Sequence, residues 1–476
     1  MSPRHALPLI LALTGCSLAP ELPDPAVNTP AAWKETPARI SGDWKVATPA
    51  DDAARGSWWT VFRDPVLDGL IARASVDNQN LQAALARLEQ SRAQVRVAGA
   101  QRLPRIDLGV GASRIQPSAV ILDSFGGGGP ATLEDYTQIN TRLSASYELD
   151  LFGRVRDSVR AAEADFAAQR ALYESLTLSL QGDVAQTYFL IRATDEELRV
   201  LREGIKLRED AVALVAARVD AGDTDDFDLA RSRADLETAR AELEAVSRSR
   251  AAYEHALAVL CGETPAAFTL VEAPATRTLP AIPPGLPSTL LERRPDVAAA
   301  ERRMIAANAR IGVAKAAFYP VLNLTANFGV ESGGVGELFK WSSRTWALGP
   351  IAGPLLSLPI FDGGRNRANL ASAEASLEAE VAVYRQTVLD AFVEVEDSLS
   401  GLRTLAAQRA ALTRAIDSAQ AASTIAEARF EAGATGMIDV LEARRSLLAT
   451  QRLGVQADGA RAATTVALVR ALGGGW

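Results

Sequence analysis

All 23 prolines of this 476-residue chain lie in residues 1–130 and 265–359, leaving two long tracts, 131–264 and 360–476, with none. Proline costs roughly 3 kcal/mol inside a helix, so tracts of this length without it are where very long helices can form. Composition agrees: alanine, leucine, arginine and glutamate dominate these tracts, and aromatic residues are only 6% of the chain. That is a long-helix composition rather than a mixed globular one. Between about Arg154 and Asp220 the apolar residues, among them Leu172, Leu176, Leu180, Val184, Tyr188 and Ile191, step mostly by threes and fours. The spacing predicts a helix roughly 100 Å long at 1.5 Å per residue, a rod that a coiled coil needs and an ordinary globular domain does not.

The chain then repeats itself. Ala217–Thr224 (ARVDAGDT) matches Ala428–Thr435 (ARFEAGAT), and Asp228 falls on Asp439. Gly153-Arg154 matches Gly364-Arg365 and Ala162-Glu163-Ala164 matches Ala373-Glu374-Ala375 at the same offset, while Pro104 pairs with Pro320. Alanine-rich helices align by chance easily, but a common offset across turns and helix starts, shifted at the prolines and strands only by the first copy's longer glycine loop, marks an internal duplication. Gly222 and Gly433 suit the left-handed residue that ends a helix. Thr224 and Thr435 suit the cap that starts the next.

After Pro104 the pattern changes to period two. Ile106, Leu108, Val110 and Ala112 alternate with small or polar residues, as do Ile139, Thr141, Leu143, Ala145, Tyr147 and Leu149 beyond a Gly126–Gly129 loop. In the second copy Leu322, Leu324, Ala326, Phe328 and Val330 do the same. One apolar and one polar face is the signature of a barrel strand in lipid or of a half-buried sheet. A helix over about 77–102 precedes the first pair. Each repeat therefore reads helix, strand, strand, long helix, turn, long helix. Two repeats supply four strands, whereas small membrane barrels begin at about eight. Open edges in lipid leave backbone groups unsatisfied, so if the strands lie in a membrane, more than one chain is required.

The N-terminus carries Arg4 and His5, a short apolar run, and Leu13-Thr14-Gly15-Cys16. The run is too short to span a bilayer, which takes about 20 residues, and reads as a secretory signal. Cys261, in an apolar helical stretch, reads as a packed thiol. The formal charge of −8, with no basic block, argues against a nucleic-acid partner. Catalysis is not expected either. His5 falls in the signal, leaving His255 alone, so no histidine-based triad or metal site assembles, and no phosphate-binding glycine loop is present. No cofactor is implied.

Leu13–Cys16 resembles the lipobox of bacterial lipoproteins, whose cysteine is acylated, and Ser17 rather than an aspartate follows it, which implies the outer membrane as destination. Four further stretches carry a wider resemblance: Leu290-Leu291-Glu292-Arg293-Arg294-Pro295-Asp296-Val297, the Ala-Ala-Phe-Tyr-Pro run at 316–320, Pro359-Ile360-Phe361-Asp362-Gly363-Gly364, and the closing Ala471-Leu472-Gly473-Gly474-Gly475-Trp476. Together with the lipobox and the duplication, these make the chain similar to the TolC family of outer-membrane factors, most closely its OprM-type lipoprotein branch.

The resemblance implies a homotrimeric channel-tunnel in which a 12-stranded β-barrel, four strands per chain, continues into a periplasmic α-helical barrel. It implies a passive conduit exporting drugs or other small toxic compounds, fed by an inner-membrane transporter of the proton-driven RND type through a periplasmic adaptor (membrane fusion) protein. A structural coiled-coil lipoprotein and a type I protein-secretion channel are the alternatives. The family's closing residues fall here on Ile438, Asp439, Glu442 and Arg445; Asp439 and Glu442 would form carboxylate rings that favour cations. The hairpin tips that would meet the adaptor are Gly222, Asp223, Thr224, Gly433, Ala434 and Thr435. Three methionines, one of them the initiator, weigh against a methionine-lined copper or silver route. The expected organisation is a lipoprotein signal over 1–15, a lipidated extended segment with a short helix over 16–75, a first repeat over 76–264, a Pro-rich linker over 265–290 and a second repeat over 291–476.

Overall fold

Duplication is visible in the helix lengths alone. In a computed structural model describing residues 17–27, 30, 32–35, 56–116, 135–274, 279–280, 282–283, 287–348 and 356–474, the elements run in two parallel series. The first is α1 (Pro65–Asp77), α2 (Gln79–Ala100), β1 (Arg105–Ile115), β2 (Tyr136–Leu149), α3 (Arg154–Asp220) and α4 (Asp226–Leu260). The second is α5 (Pro287–Arg293), α6 (Pro295–Ala316), β3 (Val321–Ser332), β4 (Arg344–Leu348), β5 (Leu356–Ser357), α7 (Arg365–Glu431) and α8 (Met437–Ala471). Helices α3 and α7 each have 67 residues, and α4 and α8 each have 35. Cys16 and the Gly126–Gly129 loop lie outside the described residues.

Contacts divide the chain into two compact units, one of residues 1–25, 89–168 and 301–383, the other of 26–88, 169–300 and 384–476. The first holds an antiparallel sheet of order β1-β2-β3-β4, with β5 also paired to β3. Its register turns separate alternations into one surface. Leu108 stands opposite Leu143, Leu143 opposite Phe328, and Phe328 opposite Trp346, a single row in which each side chain is 44–72% exposed. The neighbouring row, Gly109, Arg142, Gly329 and Thr345, faces the other way. On the other side of β3, β4 pairs with residues 326–330 and β5 with residues 321–322. Strands of 11, 14 and 12 residues meet the roughly 9–11 that a tilted membrane strand needs. Among the described residues no helix is long and apolar enough to cross a membrane.

The second unit is built on the helical hairpins. Leu67 and Ile71 of α1 pack with Val184, Tyr188 and Ile191 of α3 and Leu257 of α4, all essentially inaccessible. Burial of each such aliphatic side chain contributes about 1.5–3 kcal/mol. A second cluster gathers Trp33, Leu290, Val388, Val395 and Leu468. Asn78 separates α1 from α2: its N–H donates to the Ala74 carbonyl, its Oδ1 accepts from Leu81 N and its amide donates to Leu260 O. One side chain thereby ends a helix, caps the next and ties both to the end of α4.

Candidate functional site

The hairpin tips close in the same way in both repeats. Gly222 (φ 74°) and Gly433 (φ 72°) adopt the left-handed conformation, and the residues after them, Asp223 and Ala434, return N–H bonds to Arg218 O and Arg429 O at 2.8 Å. This six-to-one bond is how a helix satisfies its last carbonyls. Gly222, Asp223, Gly433 and Ala434 are exposed, Thr224 and Thr435 half-buried. Arg218 also pairs with Asp223 at 2.8 Å.

The helix starts beyond the tips correct the expected caps. The caps are Asp225 and Gly436, one residue later than the threonines. Asp225 accepts from Asp228 N. Gly436 has no side chain to do this, and the Asp439 carboxylate instead accepts from Gly436 N at 3.2 Å. Thr224 and Thr435 donate to the carboxylates of Asp228 and Asp439. Serine, threonine and aspartate all cap helices, so composition alone does not fix the cap to a single position in Asp223-Thr224-Asp225. Asp439 is consequently a capping residue as well as a candidate for the lumen.

From that start, α8 carries the other expected residues along one face. Ile438 is exposed, and Arg445 lies 3.5 Å from Glu442 one turn earlier. Arg445 is also 3.5 Å from Asp235 of α4, which takes a shorter bond (2.9 Å) from Arg208 of α3. Two turns further on, Arg452 reaches Glu197 of α3 and Glu242 of α4, both at 2.7 Å. On its other side α8 is tied to α7 by Arg444–Glu427 and Asp458–Arg409, each at 2.8 Å. The hydrogen bond from Arg444 holds the Glu427 carboxyl below the usual range. A cavity of about 340 Å³, lined by Arg208, Arg231, Asp235, Ile438 and Glu442 among others, lies at this junction.

The structure thus brings together Ile438, Glu442 and Arg445, and adds Arg208 and Asp235, which sequence reasoning missed. One signal was available. At the repeat offset Phe227 matches Ile438 and Asp228 matches Asp439, but Arg231 matches Glu442, Ala234 matches Arg445 and Ser446 matches Asp235. At these three positions the two copies differ in charge. Phe227, the counterpart of Ile438, is also exposed.

Paired helical hairpins and an antiparallel sheet, each built from both repeats, are matched elsewhere. The family model described as "Outer membrane efflux protein" matches residues 70–263 and 286–474, one segment for each repeat. The chain belongs to this family. Outer membrane protein OprJ of Pseudomonas aeruginosa is 35% identical over 473 residues, covering 99% of this chain and 95% of OprJ. The cation efflux system protein CusC of Escherichia coli K12 is 32% identical over 480 residues, covering both proteins completely. Among solved structures, the CmeC outer membrane channel of Campylobacter jejuni superposes with a TM-score of 0.83 at 27% identity, covering 97% of this chain and 95% of that one. This efflux protein is accordingly an outer-membrane channel with the TolC-like fold, four strands per chain and a duplicated helical hairpin, and not an enzyme. It serves as one component of an efflux pump.

Proposed function

We propose that this efflux protein is the exit duct of a tripartite pump, held shut at its periplasmic end by the α8 residues Ile438, Asp439 and Glu442 and latched by Arg445. Arg445 is the observation that carries this reading. It bridges Glu442 on its own helix and Asp235 on the hairpin of the other repeat, so α8 cannot swing away from α3 and α4 without breaking ion pairs. Acidic side chains repeated around a symmetric lumen favour cations. Three copies supply twelve strands, and the tips Gly222–Thr224 and Gly433–Thr435 offer the adaptor its contact. The transporter that feeds the duct is of the proton-driven RND type. Anchoring is through acylated Cys16 in the outer membrane, with the signal over 1–15 removed. The cargo is small toxic compounds, drugs among them.

Single-channel recording in planar bilayers tests the latch. Asp235→Ala and Arg445→Ala are expected to raise resting conductance severalfold. Asp439→Asn keeps an acceptor for Gly436 N–H and Thr435 while removing the charge, and is expected to reduce cation selectivity without unravelling the helix start. Resting conductance equal to wild type in Asp235→Ala, Arg445→Ala and Glu442→Ala alike would remove this network from the gate.

A further inference from the structure

In the first unit, the start of the described chain is not loose. Ser17 donates its hydroxyl to the Asp157 carboxylate, with oxygens at 2.7 and 2.9 Å, and accepts from Ala19 N at 3.2 Å. Asp157 is completely buried in the first turn of α3. Asn308 of α6, itself 5% exposed, donates to the Pro20 carbonyl at 2.9 Å. One turn along α6, Gly312 leaves the space in which these groups meet. A Cβ at Gly312 would lie 2.2 Å from Asp157 Oδ2 and 3.0 Å from Ala19 N. Two helices of different repeats thus present a carboxylate, an amide and a missing side chain to four residues of extended chain.

A buried carboxylate is costly unless it is hydrogen-bonded, and burial does push the Asp157 carboxyl up from its ordinary range. No catalytic or gating role claims it. What it receives is the residue directly after Cys16. We infer that Asp157, Asn308 and Gly312 form a receptor for residues 17–20 that fixes the acylated residue 16 beside the first turn of α3. The inference rests on the reading of Cys16 as acylated and adds where the acyl group is held.

The location suits that role. Asp157 is the fourth residue of α3, about 5 Å along the axis from the helix start. That start is fastened to the end of β2 by Arg154 and Glu148 at 2.6 Å, and Phe152 stacks on Tyr319 at 4.7 Å where α6 gives way to β3. The seat therefore holds Ser17 at the helix-side end of the strands. A lipid tethered through a flexible segment would anchor the chain equally well but would not set its depth. A seated segment does both.

Hydrogen exchange on the full-length protein, produced with its own leader and purified from outer membranes in detergent, decides the matter. The amides of Leu18, Ala19, Glu21 and Leu22 are expected to exchange roughly tenfold more slowly in wild type than in Ser17→Ala, the signature of a local opening equilibrium. Ser17→Thr, which keeps the hydroxyl, is expected to restore the protection, and Gly312→Ala, which fills the seat, to abolish it. Peptides from β1–β3 should exchange alike in all four proteins. Equal exchange in wild type and Ser17→Ala would overturn the receptor. The mass of the N-terminal peptide reports acylation separately: an unmodified residue 16 in a protein whose residues 18–22 are protected would sink the anchor reading while leaving the seat standing, and would overturn its assignment to a lipid.

Discussion

Tyr188 does three jobs from one position in α3. Its ring is buried in the core of the second unit beneath the Arg192 guanidinium, 4.9 Å from the centroid. Its hydroxyl donates to Asp64 Oδ2 at 2.6 Å, while Asp64 Oδ1 caps α1 by accepting from Val66 N and Leu67 N. Burial first, and the bond to Asp64 second, push the phenol up to about 12. A group with a raised folded pKa contributes stability below its ordinary value near 10, and that contribution is lost as pH rises towards the folded value. Tyr188→Phe is therefore expected to cost about 1.5–3 kcal/mol at neutral pH, the range for a hydrogen bond to a charged partner. Denaturant unfolding of the two proteins should converge between about pH 10 and about pH 12. Other residues were readable directly. Cys261 is the packed thiol its neighbours announce, fully buried and with its thiol pushed up to about 11 by that burial. Asp64 was not readable, because an aspartate before Pro65 signals a helix cap and nothing in the sequence links it to a tyrosine 124 residues away.

At the scale of elements the proline map carries most of the information. It bounds α3, α4, α7 and α8, and the offset that aligns Gly153 with Gly364 also aligns both ends of these four helices. Strands β1, β2 and β3 follow from alternation, since one face of each must be apolar. The fourth strand does not: Gly349, Pro350, Gly353 and Pro354 interrupt the pattern, and proline cannot donate to a sheet ladder. The ion-pair network around Asp235 is likewise hidden, because Arg445, Asp235 and Arg208 come from three helices and meet only when the hairpins of both repeats pack. The tips were legible for a backbone reason. A Cβ at Gly222 or Gly433 would touch nothing within 4 Å, so the left-handed backbone alone demands glycine. Gly222→Ala is expected to destabilise its tip by about 1–2 kcal/mol, the left-handed penalty for one L-residue. Faster amide exchange confined to residues 219–225 would show it, and slower or unchanged exchange there would contradict the backbone account.

For the whole molecule the decisive quantity is the sheet edge. The row Leu108, Leu143, Phe328 and Trp346 offers water a contiguous apolar face, and β1 and β4 leave outer edges that no described strand of the same chain covers. In lipid each uncovered backbone group costs several kcal/mol, so the edges must meet other edges. The order β1-β2-β3-β4 is antiparallel throughout with an even number of strands, which makes β1 of one copy run opposite to β4 of the next. Identical copies can therefore join edge to edge in the same antiparallel sense until the sheet closes, and four strands per chain reach a barrel wider than the eight-stranded minimum with three copies. Cysteine pairs on the polar face test this, one at 107, 109 or 111 in β1 and the other at 345 or 347 in β4, a panel wide enough to tolerate any stagger. Oxidation in native outer membranes is expected to give covalent dimers and trimers, and nothing larger, for at least one pair. Cys261 is buried and should not contribute. A panel that yields only monomer, with the protein folded and in the membrane, would mean the edges are satisfied some other way and that a single chain is the unit. A ladder ending at a different number would keep the edge-to-edge joining and change only the size of the barrel.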